Sequence, residues 1–232
     1  MPQLIGTALL LVAVVGSGIA AQTLSPGQTG LELLENAAAT GAAPVAIILA
    51  VGPVSGAHLN PIVSGADAYF GGLRGHEFLV YLVAQVLGAA VGGVLANLMF
   101  SLPAVSVSTH VRSSPGLWLG EIIASFGLLL VIFVVVRSGR AAAASFAVGA
   151  YITGAYFFTS STSFANPAVT IARTLSDTFA GIAPASVFLF VVAQTVGAVI
   201  ACAVVRFLWP HVAEVASELV VPHTTGDSEI EA

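Results

Sequence analysis

Six apolar stretches of this chain approach or reach the length of a bilayer crossing, and two more, each opened by Asn-Pro, are too short to cross. A spanning helix needs about 20 mostly apolar residues. The long stretches run over residues 4–21, 37–51, 78–98, 118–136, 141–160 and 184–208. The short ones begin at Asn60 and Asn166. Each follows small, irregular sequence: Ser55-Gly-Ala-His-Leu before the first, Ser161-Thr-Ser-Phe-Ala before the second. Asparagine is a strong helix N-cap. Proline suits the first helical position, where its missing N–H would have had no intrahelical partner. The pattern predicts two half-helices, 60–70 and 166–175, inside an all-α membrane bundle.

Composition supports the membrane. Only 7% of residues are charged and 57% are hydrophobic, against about 25% charged in a soluble domain. A surface this poor in charge faces lipid. The single cysteine, Cys202, cannot form a disulfide within the chain. The net charge of −5 owes much to residues 210–232, with Glu214, Glu218, Asp227, Glu229 and Glu231. They read as an acidic, solvated tail, without the basic footprint that nucleic acid requires. Gly16-Ser-Gly-Ile-Ala-Ala21 has the small residues of a signal-peptide cleavage site, but no Lys or Arg precedes it, so residues 4–21 are read as a span. Residues 22–40 read as a polar loop.

The two halves repeat. Gln3-Leu-Ile-Gly-Thr-Ala matches Glu121-Ile-Ile-Ala-Ser-Phe, and Ala84-Gln-Val-Leu-Gly-Ala89 matches Ala193-Gln-Thr-Val-Gly-Ala198. Each half reads span, span, half-helix, span. An odd number of crossings makes the second half enter from the opposite face, so the repeat is inverted. Residues 1–100 form the first repeat, 101–116 a linker, 117–209 the second repeat, and 210–232 a cytoplasmic tail. With both termini cytoplasmic, Arg74, Arg137, Arg140 and Arg206 lie inside and Arg112 and Arg173 outside, which obeys the positive-inside rule.

Irregular backbone is tolerated at membrane depth only when buried in protein or lining a water-filled cavity. Residues 55–59 and 161–165 therefore line a path, with the half-helices meeting N-terminus to N-terminus near the midplane. Each helix start carries roughly half a positive charge and repels cations. Asn60 and Asn166 cap their helices through the side-chain oxygen and offer amide N–H groups to a passing solute. Such a site binds weakly and moves nothing uphill, which fits passive conduction.

These residues resemble the major intrinsic proteins, the aquaporins and aquaglyceroporins. Gly6-Thr7 in the first span, Ser55-Gly-Ala-His-Leu-Asn-Pro61 and Asn166-Pro-Ala168 carry the likeness, in matching order over residues 3–209. The resemblance implies a right-handed six-helix bundle with two half-helices, a pore in each subunit and a homotetramer in the cell's inner membrane. Lipid and small neutral solutes are the partners, and no cofactor, metal or nucleic acid is implied.

The departures from the family pattern are informative. Ile62 replaces the alanine of the first motif, which implies altered packing of the half-helix rather than a blocked pore. Gln3 stands where the family has glutamate, a place that Glu121 keeps in the second half. Val169 stands where the family has the arginine of its outer constriction. The other filter positions correspond to Thr40, Gly154 and Ser163, where water-selective members carry an aromatic at the first and histidine at the second. A wide filter without arginine suits glycerol and metalloid hydroxides such as arsenite and antimonite, and some bacterial members are associated with arsenic detoxification.

An ordinary water channel is the alternative. An ion-coupled secondary transporter is remoter, since it needs an ionisable residue at midplane depth and only Glu121 lies clearly in a span. An enzyme is disfavoured, because no nucleophile–base pair or metal cluster is visible. Arg173, one turn past Val169, is either a charge at the outer mouth or, the preferred reading, a headgroup-facing arginine or partner of Asp177. His58 reads as a loop-packing residue rather than a metal ligand, and Asp67, Glu77 and Asp177 as solvated or capping acids.

Overall fold

The computed structural model describes residues 1–209, and all regular structure among them is helical. The order is α1 (Pro2–Leu24), α2 (Thr29–Ser55), α3 (Pro61–Phe70), α4 (Gly75–Met99), α5 (Pro115–Arg137), α6 (Ala144–Phe158), α7 (Pro167–Ala172) and α8 (Pro184–Leu208). A 3-10 turn, Ala141–Ala143, leads into α6, and another, Arg173–Leu175, continues α7. Among the described residues six helices are long and apolar enough to cross a membrane; α3 and α7 are not among them. The acidic tail expected at 210–232 lies outside the described residues.

The halves are built alike. α1 packs along α4 and α2, and α5 packs along α8 and α6. The tightest contacts fall on glycines, because hydrocarbon offers no net drive for helices to associate and close backbone approach must supply it. Gly88 lies against the Leu4 carbonyl, and Gly197 against the Ile122 carbonyl at the matching place in the second half. The halves meet where α2 crosses α6, and a Cβ on Gly41 would come 2.9 Å from the Gly149 carbonyl. Outward faces carry exposed Leu79, Val80, Val83, Phe188 and Val199, an apolar surface suited to lipid.

The loop expected over residues 22–40 is a correction. Only residues 25–28 leave the helical path, and α2 runs on through Pro44 and Pro53. The polar residues that suggested a loop are bonded inside the bundle. Glu32 accepts from the Gly27 N–H at 3.0 Å, and Ser25 donates to Glu35 at 2.8 Å. Asn36 Nδ2 donates to the Val14 carbonyl and to Ser17 Oγ of α1. Side chains bonded to the turn and to α1 do not interrupt either helix, and the result places Thr40 on a helix wall.

Candidate functional site

The site begins with two strained loops. Ala57 and Leu59 in the first, and Thr162, Ser163 and Ala165 in the second, sit in the left-handed region with φ between 45° and 63°. Non-glycine residues there cost on the order of 1 kcal/mol or more each, so something must hold them.

Buried side chains do. Glu121 is fully buried; its Oε1 accepts from the Phe164 N–H and its Oε2 from the Ala165 N–H, both at 2.9 Å. Gln194 Nε2 donates to Glu121 at 2.6 Å and to Thr170 Oγ1 at 2.8 Å. In the first half Gln3 Oε1 accepts from the Leu59 N–H at 2.9 Å and from Gln85 at 3.1 Å, while Gln3 Nε2 donates to the Ser55 carbonyl at 3.0 Å. Gln85 also donates to Ser64 at 2.9 Å. Gln3, Gln85 and Ser64 thus match Glu121, Gln194 and Thr170. The sequence marks Gln85 and Gln194 only as repeated residues; a glutamine at the same place in two apolar spans was the signal for this role.

Anchored this way, the loops deliver the two asparagines. Asn60 Oδ1 accepts from the Ile62 N–H, and Asn166 Oδ1 from the Ala168 and Val169 N–H groups, so each caps its half-helix. Their amides then cross the waist: Asn60 Nδ2 donates to the Ala165 carbonyl at 2.8 Å and Asn166 Nδ2 to the Leu59 carbonyl at 2.9 Å. Each amide nitrogen carries two hydrogens, and both asparagines border one cavity.

That cavity encloses ≈ 690 Å³ of open space, mouth included. Of the four positions that the resemblance gives to the filter, Thr40, Ser163 and Val169 border it. Gly154 does not: it is exposed on the far face of α6, and the wall is made by Val148, Ile152 and Tyr156. Counting from the motifs lands two residues off this inward stripe of every fourth residue, and two residues turn a side chain to the opposite face of a helix. Tyr156 was not singled out in the sequence; its hydroxyl bonds Thr40 Oγ1 at 3.2 Å across the cavity wall. Pro61, Ile62 and Pro167 lie outside the cavity, along a separate groove with Phe78 and Leu82, and Ala168 is buried behind Asn166.

A model of the family described as "Major intrinsic protein" matches residues 1–165 and 139–230. The chain belongs to the major intrinsic protein family. The protein named aquaglyceroporin AqpS of Rhizobium meliloti (strain 1021) is 48% identical over 206 residues, covering 89% of this chain and 88% of that one. The glycerol uptake facilitator protein of Streptococcus pneumoniae is 28% identical over 66% of this chain and 70% of its own. Among solved structures, the aquaglyceroporin from Plasmodium falciparum superposes with a TM-score of 0.69 at 26% identity, covering 91% and 96% of the two chains. The chain is a multi-pass membrane channel and not an enzyme.

The remaining charged candidates of this major intrinsic protein correct the sequence reading in two places, Arg173 and Asp67. Arg173 does not face headgroups or Asp177. It is 2% exposed, borders the cavity, donates Nε–H to the Ala180 carbonyl, and lies over the Phe164 ring at 3.5 Å to the centroid. Asp177 instead accepts from the Thr109 N–H at 2.8 Å and its hydroxyl at 3.1 Å, which holds the exposed carboxyl below its ordinary range. Asp67, expected at a solvated loop end, is buried with its Oδ2 3.7 Å from His58 Nε2.

His58 also borders the cavity, its Nδ1 at 3.1 Å from Ser64 Oγ and its ring edge-on to Tyr81. Among the described residues no group of three or more His, Cys, Asp or Glu is placed to hold a metal. Glu77 accepts from the Arg74 N–H at 2.8 Å and caps the start of α4.

Proposed function

We propose that this channel conducts small uncharged solutes passively, and that water, glycerol and the undissociated hydroxides of metalloids, arsenite and antimonite among them, pass through it. The observation that carries the reading is Val169. It borders the cavity, and by its position after the second Asn-Pro-Ala it corresponds to the arginine of the family's constriction. A valine there offers no donor and no charge, and Leu10, Val14, Ile48, Val63 and Ile152 extend the same apolar wall. Polar contact is confined to a few places, among them Thr40, Ser163 and the two asparagines. That pattern favours solutes with both an apolar flank and hydroxyls over water alone.

Passive conduction is supported by the missing carboxylates. Among the described residues bordering the cavity none is acidic, and Glu121 has both oxygens engaged by the second loop. The names of the similar proteins, an aquaglyceroporin and a glycerol facilitator, point the same way. An inner-membrane homotetramer with both termini cytoplasmic completes the proposal, on the strength of the family pattern and the arginine distribution; crosslinking in native membranes reads the subunit number.

Proteoliposomes decide it. Vesicles with the protein take up glycerol and arsenite faster than empty vesicles. Equal rates sink the proposal, and fast water flux without either solute leaves an ordinary water channel. Val169→Arg narrows the cavity and supplies a cation; glycerol and arsenite flux then fall at least about tenfold while water flux falls less. Parallel losses would remove Val169 from the filter.

A further inference from the structure

Arg173 is a buried cation that the filter reading leaves unused. Its guanidinium stacks on Phe164, and the same ring carries Arg112 on its other approach, 5.2 Å from the centroid. Among the described residues neither arginine forms an ion pair with a carboxylate. Arg112 spends its Nε–H on the Gly181 carbonyl at 2.9 Å and Nη2 on the Phe179 carbonyl at 3.3 Å, which ties the segment 179–181 around the ring. Arg173 gives its Nε–H to Ala180 in the same segment. Glu121, the buried carboxylate of this half, is turned to the Phe164 and Ala165 N–H groups.

Stacking uses the face of a guanidinium and leaves its Nη N–H groups, beside the Tyr156 hydroxyl, for acceptors such as the oxygens of an oxyanion. A second observation concerns the same cavity. Ser163 Oγ borders the same cavity, Ser163 is 3% exposed, and this oxygen has no hydrogen-bond partner among the described residues. A buried polar atom without a partner normally finds water or a ligand. The cavity wall thus presents a positive charge and an unpaired hydroxyl, and none of the described residues bordering it is acidic.

We propose that Arg173 and Ser163 form a docking site for a small monovalent oxyanion in this cavity. The site rests on the channel reading and extends its substrate class from neutral hydroxides to their charged relatives. It sets the charge selectivity of a pore whose Val169 carries none.

The test uses full-length protein in proteoliposomes, with glycerol uptake as the readout and methanesulfonate, an anion at every accessible pH, as the probe. Ionic strength is held with gluconate, a bulkier anion. Methanesulfonate slows wild-type glycerol uptake. Arg173→Gln raises the half-blocking concentration at least about tenfold, the scale of one lost charged hydrogen bond, and Arg173→Lys retains most of the block. Ser163→Ala, which leaves the backbone as it is, weakens the block about threefold, the scale of one neutral hydrogen bond; it serves alone if Arg173→Gln fails to reach the membrane. Glycerol flux that methanesulfonate does not slow, or slows equally in wild type and Ser163→Ala, overturns the site while leaving the channel standing. No glycerol flux in the wild type overturns both.

Discussion

The two halves solve one problem with different chemistry. Each must hold a strained loop so that an asparagine caps a half-helix and reaches across the waist. In the second half the holder is the carboxylate of Glu121, which only accepts, and both oxygens take loop N–H groups. In the first half it is the amide of Gln3, which accepts from Leu59 and donates to Ser55. The half-helices differ too. α3 has 10 residues and ends at Gly71 with φ 92°, whereas α7 has 6 and tightens into a 3-10 turn at Arg173. That tightening accompanies an arginine lodged in the cavity wall, while the first half offers the buried His58–Asp67 pair. What the halves share builds the waist; what they do not share is how each loop is held and which charged groups lie beside it.

Exchanging the holders tests this division. Glu121→Ala has the largest effect: it strands the Phe164 and Ala165 N–H groups and a hydrogen bond of Gln194. At about 1–3 kcal/mol for each buried group left unpaired, the loss is about 4 kcal/mol or more, read from denaturation of the helical signal in detergent. Gln3→Ala strands the Leu59 N–H and costs less, about 2 kcal/mol; a loss equal to that of Glu121→Ala would mean the halves are not held differently. Gln3→Glu copies the second half's residue yet destabilises by about 1–2 kcal/mol, because an oxygen then faces the Ser55 carbonyl that the Gln3 amide now serves. Improved stability would show that the first loop can adopt the second's bonding.

The smallest effect lies outside the membrane. Asp177 has a folded pKa below its ordinary 3.8, first through the Thr109 N–H and then its hydroxyl. Its contribution is present above that ordinary value and is lost as pH falls through the lowered one. Asp177→Asn flattens the acid side of the stability profile; an unchanged profile would show that the contact carries no linkage.

The spans, the half-helices and the inverted repeat were legible because hydrocarbon length and Asn-Pro caps are local signals. The misreadings share a different cause. Asn36 and Glu32 looked like loop residues until the partners that satisfy them on α1 and at Gly27 were known. Gly154 was placed by counting along motifs, and only the helix register shows that Tyr156 faces inward. Arg173 and Asp67 were assigned to water because charge usually goes there. Their burial depends on Phe164, Ala180 and His58, residues 7 to 9 positions away that the re-entrant loops and the turn after α7 fold back onto them. Direction of a side chain, unlike the type of its element, is set by tertiary neighbours.

The crossed asparagine bonds bear on how the chain is made. Asn60 bonds a carbonyl 105 residues later in the sequence. At roughly 5–20 residues per second of synthesis, the first re-entrant loop waits on the order of 5–20 s for its counterpart to exist. During that interval Leu59 and Asn60 lack the groups that will close the waist. The nascent first half must therefore be sheltered by the insertion machinery or by water until the second half arrives.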